Sequence, residues 1–260
     1  MLRPTLLLAA ALLAACALPA YARPRVEISV VDRDEGDWLA PIRHRGQDWI
    51  AGTPGHRYSV RLSNASGERV LVVLSVDGVN AVTGQTAHPS QAGYVLGPWQ
   101  STEVSGWRKS LDDVAQFVFT DLQDSYAART GRPDNVGVIG IAVFAEARPV
   151  VLPRPLYPPA PIAERARKAD RSASTQGDAA SAEAAPQGLG TGHGEREWSP
   201  VSRTDFVRAS RHPQQVLQLR YDDRASLIAR GILPRALHGW PPREPRAFPE
   251  GFVADPPFPQ

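Results

Sequence analysis

The sequence predicts a mainly β protein, an antiparallel β-sandwich with a small C-terminal strand-strand-helix extension and a disordered linker between them. Two observations carry the prediction. Between Arg25 and Glu146, short runs rich in β-branched residues recur with scarcely a helical period among them. Turn signals such as Asn64-Ala65-Ser66-Gly67 and Asp77-Gly78 fall between neighbouring runs, where hairpins need them.

Taken in order, "VEISVV" at 26–31 begins with apolar–polar alternation, and "YSVRLS" at 58–63 alternates throughout, the pattern of a half-buried strand. Residues 70–76 are almost continuously apolar, as a central strand covered on both faces would be. Shorter runs follow at 94–96, 102–104 and 117–119, then a long one at 136–144, where Gly137 and Gly140 predict a bulge or a close backbone approach. Two more strands are expected at 204–209 and 215–221. Asp222 then caps a short helix that runs through Arg230 and stops at Gly231.

Composition divides the rest. Arg3, an apolar stretch at 6–18 and the small-x-small pattern of Pro19-Ala20-Tyr21-Ala22 predict a signal peptide over 1–22 and a mature chain from Arg23. The expected location is periplasmic or secreted. Leu13-Ala14-Ala15-Cys16 also has the form of a lipobox, which would give an outer-membrane lipoprotein held through Cys16. The apolar run is shorter than the ~20 residues of a bilayer span, so no transmembrane helix is expected after cleavage. The sandwich is assigned to 23–148, a Pro/Ala-rich linker to 149–188, the β-β-α segment to 189–238 and a Pro-rich tail to 239–260. Cys16 is the only cysteine, which excludes a disulfide or a thiol nucleophile in the folded part. With 29 Lys+Arg against 27 Asp+Glu the net charge is +2, and nothing argues for nucleic acid.

The segments "LSVDGVNAVTGQTA", "GYVLGPWQSTEVSGWRKS", "VAQFVFTDLQDSYAARTGRPDNVGVIGIAVF" and "GTGHGERE…FVRASRHPQQVLQLRYDDRASLIARGI" resemble those of an uncharacterised family of exported proteobacterial proteins, a domain of unknown function. The resemblance spans most of the chain outside the leader, linker and tail. It implies a shared architecture and carries over no catalytic residue.

Several chemical motifs fail on residue type. "DGVNAVTGQ" has five residues between Gly78 and Gly84, and Gln85 where a phosphate-binding loop needs Lys, so it reads as a turn. Ser90, two residues after His88, lacks the strand-turn-helix setting of a nucleophile. His193, Glu195 and Glu197 alternate in "GTGHGEREW" and would share one strand face. They are the basis of an alternative reading as a metal-dependent hydrolase.

The group that favours binding is "SYAARTGRPDN". Tyr126, Arg129, Arg132 and Asn135 gather on a Gly-Pro loop, and Tyr94, Trp99 and Trp107 lie on an aromatic-rich neighbour. Aromatic faces beside guanidinium forks suit sugars, carboxylates or a protein surface. The competing expectation has Tyr126 and Trp107 plugging the sandwich and Arg129 paired with Asp121 or Asp124. The expected role is a non-enzymatic envelope module binding a protein or glycan, with no cofactor. A purely structural envelope subunit is the third reading.

Overall fold

The computed structural model describes residues 24–148 and 188–235. The expected leader with Cys16, residues 149–187 of the expected linker, and the tail lie outside the described residues.

Two sheets pack face to face. The first has the order β1 (Val26–Asp32), β4 (Arg57–Asn64), β10 (Asp113–Asp121), β12 (Leu189–Trp198), with β8 (Ser101–Val104) on β4 and β9 (Gly106–Arg108) on β10. The second has the order β2 (Ile42–His44), β3 (Gln47–Gly52), β13 (Gln215–Asp223), β11 (Val138–Ala145), β5 (Val70–Val76), β6 (Val79–Asn80), with β7 (Tyr94–Leu96) on β5. Pairing is antiparallel except where β13 lies parallel to β3. Among the described residues the α-helices are two short pieces, α1 (Tyr126–Arg129) and α2 (Arg224–Ala229).

The core follows from strand alternation. Tyr58, Val60 and Leu62 of β4 and Phe117 and Phe119 of β10 share one buried cluster with Val70, Val72, Leu74 and Val76 of β5 and Ile139, Ile141 and Val143 of β11. The alternate residues of β5 and β11, Leu71, Val73, Ala142 and Phe144, form a second cluster with Val95 and Phe206. Both faces of β5 are therefore apolar, which is why residues 70–76 read as a continuous run. Trp49, Leu227 and Ile232 make a third cluster, where α2 covers β3.

The Asp77-Gly78 hairpin is confirmed: both residues have positive φ, 53° and 72°, as a type I′ turn requires. The C-terminal strand-strand-helix is present, and its strands add one to each sheet. Its first strand is β12, however, and not residues 204–209. That segment makes a single bridge, Glu146 to Arg208, because β13 occupies the same edge of β11 from Val143 onward. Phe206 instead lies over the second cluster, and the Arg208 guanidinium sits 4.4 Å from the Phe144 ring centroid. The cap of α2 is Asp223, whose side chain accepts from Ser226 N at 2.9 Å. Asp222 is buried and accepts from Leu189 N at 3.1 Å. The expected close approach at Gly140 is not found: a Cβ there would meet ordinary contacts, nearest Leu217 O at 3.7 Å. Gly137 does need its glycine, with φ 81°.

Candidate ligand cleft beside helix α1

The loop that follows β10 is organised by short hydrogen bonds. A 3-10 turn over Leu122–Asp124 leads into Ser125, whose hydroxyl accepts from Ala128 N at 3.2 Å and starts α1. Thr130 Oγ1 donates to Tyr126 O at 2.8 Å, and Gly131, at φ 73°, turns the chain out. Ala127 is buried, so the helix presents Tyr126 and Arg129 from a fixed base.

Tyr126 is rooted in the core. Its ring lies 5.0 Å from Trp107, which meets Phe117 edge-on at 4.9 Å. His193 of β12 stands 5.6 Å from the Tyr126 ring on another side. The Arg132 guanidinium lies 5.8 Å from the same ring centroid and is held by Thr130 Oγ1 at 3.0 Å and by Gly84 O at 3.3 Å. Asp124, Tyr126, Arg129, Thr130 and His193 line an open cleft of about 330 Å³. Among the described residues, the Arg129 side chain makes no ion pair with Asp121 or Asp124, contrary to the competing expectation. Its guanidinium has no hydrogen-bond or ion-pair partner among the described residues.

Three of the six expected binding residues, Tyr126, Arg129 and Arg132, therefore come together. Trp107 is only 3 % exposed and forms the floor beneath Tyr126. Trp99 is 71 % exposed but sits by Gly67, at the far end of β5, about 20 Å away along a seven-residue strand. Asn135 packs against Gly78 and lines a different hollow. The sequence reading left Asp124, Thr130 and His193 out of the binding set. The alternation of "GTGHGEREW" marked His193 as a strand residue without showing its neighbour.

The second hollow, about 260 Å³, is a trough on the outer face of the second sheet. Register sets Ser75, Gly140 and Gln218 abreast, then Val73, Ala142 and Val216. The small residues of the middle strand leave the depression.

Behind the cleft, a buried polar chain joins the sheets. Tyr58 Oη and Thr191 Oγ1 are 2.5 Å apart, Thr191 Oγ1 and Tyr221 Oη 2.6 Å, and Tyr221 donates to Asp77 Oδ1 at 2.6 Å. Asp77 also accepts from Gly137 N at 2.9 Å and Thr191 N at 2.7 Å. Burial pushes the Asp77 carboxyl up to about 6, and these donors hold it from rising further. Burial, with the Asp77 charge, keeps the Tyr58 and Tyr221 phenols well above their ordinary value. Thr191 precedes His193 by two residues on the same side of β12, so the chain fixes the strand that carries His193.

Of the two acidic candidates for a metal on β12, Glu195 is exposed and Glu197 is already engaged. Glu197 accepts from Arg33 Nη1 at 2.6 Å, Gln116 Nε2 at 2.6 Å and Ser105 Oγ at 3.1 Å. Among the described residues, Asp32, Asp34 and His56 are the one close His/Asp/Glu group. Arg57 takes Asp34 through its side chain and backbone, while His56 Nδ1 meets Asp32 Oδ2 at 2.8 Å. In the Gly84 loop, Asn80 Oδ1 accepts from Val82 N and Thr83 N, so those amides are spent within the turn. His88 Nδ1 lies 2.7 Å from Ser90 Oγ in an exposed local turn.

Compared with protein-family models, curated proteins and solved structures, the chain matches none of them.

Proposed function

We propose that the protein is an exported, non-enzymatic binding module of the bacterial envelope. It holds a small ligand, or an exposed group of an envelope protein or glycan, in the α1 cleft. The observation that carries this reading is the unspent Arg129 guanidinium beside Tyr126, on a helix anchored to the core through Ala127 and Trp107. Such preorganised groups bind with little ordering cost. Export rests on the expected leader at 1–22 and on the resemblance to exported proteins.

The test is capture of purified envelope glycans and peptides by the full-length protein, compared with Arg129→Ala. Arg129 is exposed and makes no side-chain bond among the described residues, so the substitution should leave the melting temperature unchanged. Capture should fall about tenfold or more, the loss of one charge-assisted bond. Equal capture by the variant would sink the assignment of this cleft.

A further inference from the structure

The α1 cleft carries two opposite charges that do not meet. Asp124 ends the 3-10 turn and Arg129 ends α1, and both line the same hollow. Between them Ser125 is extended, at φ −62° and ψ 147°, so the two short helices diverge and no ion pair closes across the cleft. Among the described residues neither side chain has another partner. Arg132, by contrast, is bound to Thr130 and Gly84 and stiffens the rim.

This arrangement discriminates among ligands. A neutral sugar offers hydroxyls to both side chains but neutralises neither charge, so the cost of desolvating them is only partly offset. A simple anion would satisfy Arg129 while facing the Asp124 carboxylate. A molecule with both an ammonium and a carboxylate answers each charge at once, and mismatch at either end is penalised. Tyr126 lines the same cleft, and its hydroxyl is a further donor. At about 330 Å³ the cleft is at the low end of small-ligand pockets, which run from ~300 to ~1,000 Å³.

We propose that the α1 cleft recognises a small zwitterion, a free amino acid or dipeptide, with its ammonium at Asp124 and its carboxylate at Arg129. The proposal rests on the reading of this cleft as a binding site and adds the ligand's chemical class.

The test uses alanyl-alanine with the full-length protein, followed by calorimetry and by amide shifts at Tyr126, Ala128 and His193. The free dipeptide should bind saturably with shifts at these residues. Its N-acetylated and C-amidated forms should each bind at least tenfold more weakly. Asp124→Asn should abolish discrimination against the N-acetylated form alone, and Arg129→Gln against the amidated form alone. Equal affinity for all three forms, or no saturable shift with the dipeptide, overturns the proposal. If a neutral or purely anionic glycan shifts these amides while the dipeptide does not, the zwitterion falls and the binding reading stands. If no probe shifts them and Arg129→Ala captures normally, both fall.

Discussion

Asp77 shows how much one side chain can organise in a small sandwich. Three hydroxyl protons, on Tyr58, Thr191 and Tyr221, supply three bonds that can all run toward its carboxylate, so the ionised form completes the chain. Asp77→Ala removes the acceptor shared by Tyr221, Gly137 N and Thr191 N. Leaving buried donors without it costs ~1–3 kcal/mol for each group, so urea denaturation should show a loss of about 3–5 kcal/mol. The carboxyl also makes stability depend on pH. Its folded value of about 6 lies above the ~3.9 of an unfolded Asp, so the native state binds the extra proton between these limits. Stability should fall as pH rises from about 4 to 6, by up to ~3 kcal/mol from this group, and then level off. His56 acts in the same direction. Its hydrogen bond to Asp32 raises its value, so the stability it gives is full below ~6.5 and is lost as pH rises through the raised value. Arg-bound Asp34 and Glu68 have lowered values and lose their contribution only as the solution becomes strongly acid. Midpoints in urea between pH 4 and 8 should be highest at the acid end of this range and fall toward pH 8; a maximum at pH 7 or above would contradict the assignment of Asp77 and His56.

Elements were legible in the sequence where one physical signal dominated. The continuous apolar run of β5 and the Asp77-Gly78 turn needed no tertiary information. The hairpin of β2 and β3 was missed, although Arg45 and Gly46 make its turn with φ 48° and 80°, because its strands are only three and six residues long and mix charge with apolar residues. β12 showed in the sequence only as the alternation of His193, Glu195 and Glu197, because its glycines and charges hide a strand whose inward side chains, Leu189 and Thr191, are few. Trp107 looked like a ligand platform, since exposure of an aromatic residue cannot be read from its neighbours in sequence. Glycines pose the same difficulty, and two of them make a paired prediction. A Cβ at Gly140 would meet only ordinary contacts, and φ there is ordinary, so Gly140→Val should fill the trough on the second sheet and leave stability unchanged or higher by ~0.5–1 kcal/mol. A Cβ at Gly106 would run into the Ala115 carbonyl oxygen of β10, so Gly106→Ala should cost about 3 kcal/mol. Thermal melts of the two variants should move in opposite directions or differ by several degrees; equal losses would show that the contact at Gly106 relaxes cheaply.

At the scale of the molecule, the parts of the chain on either side of residues 149–187 build one body. β12 pairs along β10 in the first sheet, and β13 is inserted between β3 and β11 in the second, so neither sheet is complete without the C-terminal part. Leu189, Leu219 and Tyr221 are buried in the same cluster as Phe117 and Ile139, which ties the two parts together through apolar area as well as strand pairing. The candidate site has the same composite origin: Asp124, Tyr126 and Arg129 come from the first part and His193 from the second. Sequence order could suggest the loop but not the strand that faces it, because register between β10 and β12 is set only after folding. A protease site engineered between residues 164 and 187 should therefore give a nicked protein whose two fragments co-elute on gel filtration. They should separate only in denaturant, and ligand shifts at Tyr126 and His193 should persist in the nicked form. Residues 24–148 alone should lose those shifts, since β10 would lack the strand that brings His193 to Tyr126. Release of the C-terminal fragment in native buffer would show that β13 is not the interior strand its two neighbours make it.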